Sequence, residues 1–294
     1  MSVAQSGSAW LAWRAEGPRE PVADPEPILL IMGLGGSSHM WWRLLPHLSA
    51  RHRAIVFDNR GTGDSDRVGR RLTMADLVAD ALAVLDAAGV ESAHVIGVSM
   101  GGMVAQHLAL DHRDRVRSLV LGCTTAGGGN REPSPGAGRL LATAALRPLL
   151  GPRRTFPLVA PALYAKRTRR EHPERIAEDL RRRVEHAAPA WTTYAQLGAV
   201  AGHDTRARLP ELADLDTLVL HGAEDALVSA ARGRELASGI PGARLELLPS
   251  CGHMLTTDDE AGTASAVLEH LERAVADEEE AGDTGPKAVD VTAL

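Results

Sequence analysis

The chain of 294 residues is 44% hydrophobic and carries a formal net charge of −6, a makeup that suits a globular protein and gives no reason to expect a nucleic-acid or anionic-membrane partner. Its two cysteines, Cys123 and Cys251, lie far apart in sequence, which argues against a disulfide framework. The opening MSVAQSGSAWLAWRAEG lacks the basic start and apolar stretch of a signal peptide, and no apolar run approaches the ~20 residues that span a bilayer; a cytoplasmic protein is expected.

Ile28 to Met32 is the first strand-sized apolar run, and it leads into the glycine loop Met32-Gly33-Leu34-Gly35-Gly36. Trp41 and Trp42 follow, expected to start and pack a helix, with Trp41 and Gly33 as candidate pocket residues. Ala54 to Phe57 is the second run. Behind a cap at Thr73, Met74, Leu77, Val78, Ala81, Leu82 and Leu85 recur at helical spacing. His94 to Val98, Leu119 to Gly122, Leu218 to Leu220 and Leu245 to Leu248 complete the strand candidates, and Ala264, Val267, Leu268, Leu271 and Val275 mark a final helix. Several of these runs lack polar alternation, as parallel strands covered on both faces do. Such alternation of strand and helix predicts an α/β fold with a mostly parallel central sheet flanked by helices.

The alternation fails between residues 126 and 209. Gly127-Gly128-Gly129 and REPSPGAG read as a hinge-like entry, and helical patterns around Leu140 to Leu150 and Arg175 to Val184 follow with no strand candidate among them. The expected organisation is a core in two parts, residues 1–125 and 210–276, a helical cap inserted at 126–209, and a disordered acidic tail at 277–294. Phe156, Leu163, Tyr164, Trp191 and Tyr194 are the candidates to line an apolar pocket beneath the cap. Arg167, Arg169, Arg170 and Arg181-Arg182-Arg183 alternate with acidic residues and read first as a solvated helix face. A basic rim that draws carboxylated substrates or an acidic carrier protein is the weaker alternative.

Gly97-Val98-Ser99-Met100-Gly101 satisfies G-x-S-x-G at a strand-to-helix junction, the context that gives the motif meaning. The tight turn strains Ser99 and crowds the residues two before and two after it, which are both glycine. A serine hydroxyl needs a base. Of the twelve histidines, His253 in Cys251-Gly252-His253 follows the last strand candidate and reaches the carboxyl edge of the sheet, while His94, His107 and His112 sit in or beside elements and point to structural use. The base needs an orienting acid, and the strand ending in His221-Gly222-Ala223-Glu224-Asp225 offers two. The order Ser99, Asp225, His253 is the one that accompanies this elbow, and the position after the preceding strand holds Cys123, Thr124 and Thr125, none acidic. Asp225 is therefore preferred over Glu224. Two amides must hold the oxyanion; Met100, after the nucleophile, and Leu34, in the glycine loop, are the candidates.

With IMGLGGS, FDNRGTGDSD, GVSMGG, LHGAEDALV and SCGH in view, the chain resembles the α/β-hydrolase superfamily from Ala9 to about Val275. The resemblance implies Ser99, Asp225 and His253 as the triad, Leu34 and Met100 as oxyanion donors, and neither cofactor nor metal. Met32 stands where many relatives carry histidine. FDNRGTGDSD is expected to be a structural turn that buttresses the elbow. Serine instead of aspartate at position 99 argues against haloalkane dehalogenase chemistry.

The expected activity is hydrolysis of a small-to-medium carboxylic ester or lactone through an acyl-enzyme, as in the methyl esterases of polyketide pathways and the enol-lactone hydrolases that the chain resembles. A place in secondary metabolism follows only by analogy. The same triad also serves thioesterases, C–C bond hydrolases, cofactor-free perhydrolases, cyclases and lyases, and a ligand-binding protein without turnover is the alternative from another class.

Overall fold

The computed structural model describes residues 1–18, 25–69, 71–127, 134 and 136–283. Eight strands form one sheet: β1 (Ser2–Ser6), β2 (Ala9–Glu16), β3 (Pro27–Ile31), β4 (Arg53–Phe57), β5 (Ala93–Val98), β6 (Val116–Gly122), β7 (Thr217–Gly222) and β8 (Arg244–Leu248). Their order across the sheet is β1-β2-β4-β3-β5-β6-β7-β8. From β4 to β8 every pairing is parallel, whereas β1 and β2 form an antiparallel hairpin that joins the edge at β4. The helices are α1 (Leu45–Ser49), α2 (Met74–Ala87), α3 (Met100–Asp111), α4 (Ala137–Leu163), α5 (Lys166–Glu171), α6 (Pro173–Glu185), α7 (Ala190–Ala201), α8 (Ala230–Gly239), α9 (Leu255–Asp258) and α10 (Glu260–Asp283).

The unbroken apolar strands follow from burial on both faces. Successive residues of β3 go to opposite sides: Leu29 and Ile31 pack with α2 and α3 residues such as Leu77 and Val104, while Ile28 and Leu30 pack with Leu48 of α1 and Leu271 of α10. Neither face is left to water, so no polar alternation survives. The predicted cap at Thr73 is a reciprocal box: the Asp76 amide donates to Thr73 Oγ1 at 3.2 Å and the Thr73 amide donates to Asp76 Oδ2 at 2.9 Å.

The structure departs from expectation at both ends. The β1–β2 hairpin, which closes through Gly7 at φ +58°, does not stand out in the sequence because β1 carries only Val3 and Ala4 among its five residues and the apolar run of β2, Ala9 to Trp13, shows no polar alternation. At the other end α10 runs to Asp283, beyond the expected start of a disordered tail at 277. The DEEEA segment is charged but contains good helix formers and no proline, so the preceding helix propagates through it. Residues 284–294 lie outside the described residues, as do residues 128–133 and 135 of the expected hinge at 127–138. Gly127 and Asp204 form an isolated antiparallel bridge that draws together the two ends of the segment carrying α4 to α7.

Candidate active site

Ser99 sits between β5 and α3 at φ 55°, ψ −121°, a conformation that L-residues rarely adopt. Sterics explain the flanking glycines. A Cβ on Gly97 would lie 2.3 Å from the Gly101 carbonyl oxygen, and one on Gly101 would lie 2.0 Å from that of Ile31. The turn is pinned on two sides: the Ser99 amide donates to Gly122 O at 2.8 Å, and Thr124 Oγ1 donates to Ser99 O at 2.7 Å.

His253, on the loop between β8 and α9, places Nδ1 2.7 Å from Asp225 Oδ2. An ionised carboxylate only accepts, so Nδ1 carries the proton and Nε2 is the basic nitrogen. Burial opposes ionisation of Asp225, but the His253 charge and hydrogen bonds from His221 and His253 outweigh it and hold the carboxyl well below the usual carboxylate range. Its other oxygen accepts from the amides of Leu227 and Val228, each at 2.8 Å. Glu224 turns the other way and accepts from the Lys166 amide at the start of α5 at 3.1 Å.

Ser99 and His253 line one cavity of about 640 Å³, together with Gly33, Leu34, Met100 and Trp41. Met100 opens α3, so its amide has no intrahelical acceptor, and the Leu34 amide makes no hydrogen bond among the described residues. The glycine loop between them is held from above. Gln196 of α7, fully buried, accepts from the Gly35 amide at 2.8 Å, and Asn59 Nδ2 donates to Met32 O at 2.8 Å from below. The remainder of FDNRGTGDSD is a structural turn. Asp58 accepts from the Ser38 and Asp64 amides, and the Arg60–Asp80 ion pair ties the turn to α2.

Phe156 and Leu163 line the cavity as expected; Tyr164, Trp191 and Tyr194 do not. Tyr164 is buried behind the wall, donating to Asp179 Oδ2 at 3.1 Å. On α7 the inward face is Thr192, Thr193 and Gln196, which rotates Trp191 and Tyr194 outward, where they donate to the carbonyls of Gly69 and Ala144. The aromatic character of these residues suggested a pocket, but helical phase turned Thr193 of α7 to the cavity and gave Thr192 and Gln196 to buried contacts with Gly61 and Gly35. Arg183 is also misplaced by a surface reading, since it lines the cavity together with Arg147. Sequence reasoning found neither Gln196 nor Arg147. A glutamine within the largely apolar stretch Tyr194 to Ala201 was the available signal for the first, and nothing in the local pattern marked the second.

Cys123 Sγ lies within 4.8 Å of ligand atoms of both Asp225 and His253. Burial, then the Asp225 charge, pushes its thiol up. It stays protonated, so these three groups form a polar network and not a thiolate ligand set ready for a soft metal.

The alpha/beta hydrolase fold family matches residues 26–259. The chain belongs to this family. A Variovorax paradoxus protein named as a candidate carbamate hydrolase, RutD, is 33% identical over 266 residues, covering 90% of this chain and 96% of that one. A hydrolase from Pseudomonas aeruginosa is similar at 32% identity and a TM-score of 0.79, over 92% of this chain and 97% of the other. The enol-lactonase of Burkholderia xenovorans is 26% identical with a TM-score of 0.80, over 92% of this chain and all of that one. This alpha/beta hydrolase thus has the fold and family that its motifs implied. Among the described residues no helix is long and apolar enough to cross a membrane.

Proposed function

We propose that this alpha/beta hydrolase is a serine hydrolase that cleaves a small-to-medium carboxylic ester or lactone through an acyl-enzyme. The observation that carries the proposal is the pairing of His253 Nδ1 with a buried, ionised Asp225 on the rim of the cavity that Ser99 lines. In this mechanism Ser99 Oγ attacks the carbonyl carbon while His253 Nε2 takes its proton. The oxyanion forms against the Leu34 and Met100 amides, and collapse expels the alkoxide, which recovers the proton from His253. Water, deprotonated by the same nitrogen, then attacks the acyl-Ser99 ester and releases the acid. Asp225 stabilises the imidazolium in both halves, and no step requires a metal or cofactor. Helices α4 to α7 serve as the cap that closes the acyl site.

A carbamate is the second candidate substrate, because relatives matching nearly the whole chain are named as candidate carbamate hydrolases. Its carbonyl can pass through the same steps with a carbamoyl-enzyme as intermediate.

The test combines a fluorophosphonate probe with an acyl panel of 4-nitrophenyl esters, lactones, thioesters and carbamates. Labelling of Ser99 and turnover that falls by roughly 10⁴-fold or more in Ser99→Ala are expected, with the fastest class naming the substrate. A chain that neither labels nor turns over any member is a binding protein, and the proposal fails.

A further inference from the structure

Two guanidinium groups enter the cavity with no acidic partner among the described residues. Arg147 projects from α4 and Arg183 from α6, and both belong to the lining shared by Ser99 and His253. Neighbouring arginines are neutralised: Arg43 lies 2.7 Å from Glu178 and Arg175 lies 3.1 Å from Glu260. No carboxylate among the described residues lies within ion-pair distance of Arg147 or Arg183. Asp179, one turn before Arg183 on the same helix, is already engaged. Its Oδ2 accepts from Tyr164 and Thr257, and Arg43 Nε lies 3.8 Å from Oδ1.

Their hydrogen bonds leave capacity to spare. Arg147 donates to Ala188 O at 2.6 Å and weakly to Thr193 Oγ1 at 3.4 Å. Among the described residues Arg183 donates only to the Met254 sulfur at 3.3 Å, and its buried Nε has no partner there. A guanidinium offers five N–H groups, so most of this donor set is unused. Burial, then the Arg183 charge, lowers the Arg147 pKa. Two like charges brought together in a half-buried apolar cavity are unfavourable unless an anion joins them. Both side chains line the cavity that Ser99 and His253 also line.

We propose that Arg147 and Arg183 form an anion subsite that selects an ester or lactone bearing a free carboxylate. This deepens the hydrolase reading and rests on it. The carboxylate accepts from both guanidiniums, which leaves the carbonyl to be presented to Ser99, while the apolar wall around Phe156 and Leu163 covers the carbon chain between the two ends.

Two matched pairs of esters test the subsite, with the carboxylate on the acyl side (mono-4-nitrophenyl adipate against 4-nitrophenyl hexanoate) or on the alcohol side (4-acetoxybutanoate against butyl acetate). The wild type is expected to favour the carboxylated member of at least one pair by tenfold or more in kcat/KM. Arg147→Leu and Arg183→Leu should each reduce that ratio by about ten- to a hundredfold, mainly through KM. Removing an unpaired charge should leave the Tm of Arg183→Leu at or above wild type, which separates lost recognition from lost folding. Equal or better turnover of the neutral member in both pairs, or a ratio that both variants leave untouched, overturns the subsite. Failure of Ser99 to label with fluorophosphonate indicts the hydrolase reading instead. In that event calorimetric titration with adipate, in wild type and in the arginine variants, still decides whether the anion binds.

Discussion

Glu224 and Asp225 are adjacent carboxylates with opposite fates. One caps the start of α5 through the Lys166 amide, and the other meets His253. Under the proposed mechanism Asp225→Asn offers His253 an amide that can donate, which stabilises the wrong imidazole tautomer. Turnover of a 4-nitrophenyl ester should fall by roughly 10³–10⁴-fold. Glu224→Gln keeps an acceptor for the Lys166 amide, and its kcat should stay within a fewfold of wild type. Steady-state kinetics on the pair decides between them; a larger loss in Glu224→Gln than in Asp225→Asn would reverse the assignment. The choice of Asp225 was legible because motif order restricts the acid to the turn after β7. The company it keeps was not: His221, fully buried, also lies 3.4 Å from the same Asp225 oxygen, a contact that depends on how that turn curls back.

At the scale of elements, α7 shows where pattern reading stops. The helical patterns expected in the cap lay around Leu140 to Leu150 and Arg175 to Val184, so neither the helix at Ala190–Ala201 nor its phase was legible, and Trp191 and Tyr194 were expected inward for their aromatic surface. Burial went to the polar residues because the Gly35 amide needs an acceptor inside the protein. Gln196→Leu would leave that half-buried amide without its protein acceptor and should destabilise the fold by about 1 kcal/mol. Chemical denaturation measures this directly; an unchanged midpoint would show that the glycine loop does not depend on α7. Since Gly35 follows Leu34, the same variant should also lower kcat for ester hydrolysis more than it raises KM. The arginines of α6 carry a similar lesson. Arg182 stacks on Trp42 at 4.2 Å and Arg183 enters the cavity, although neighbouring charges in sequence read as one solvated face.

For the whole molecule, buried histidines set the acid limit of stability. Burial lowers His203 and His270 from 6.5 to about 4. In the unfolded chain these imidazoles take up protons near pH 6.5, whereas the folded protein resists until about pH 4. Between those values the unfolded state binds more protons, so the stability present above pH 6.5 is lost as pH falls through this window. The Tm should drop by several degrees from pH 7 to pH 5, in a reversible way. His203→Gln should flatten part of that slope, and a Tm independent of pH across the window would show that these imidazoles are not buried neutral.

The strand runs, the G-x-S-x-G turn and the order of serine, aspartate and histidine determined the fold and the candidate chemistry by themselves, because each is a local pattern with a steric or hydrogen-bonding cause. Tertiary structure alone decided what fills the space above the sheet. Helices far apart in sequence meet there, and their rotation about their own axes settles which side chains face inward. Placement of the guanidiniums of Arg147 and Arg183 in the cavity that Ser99 lines is a property of that packing, and no local pattern contains it.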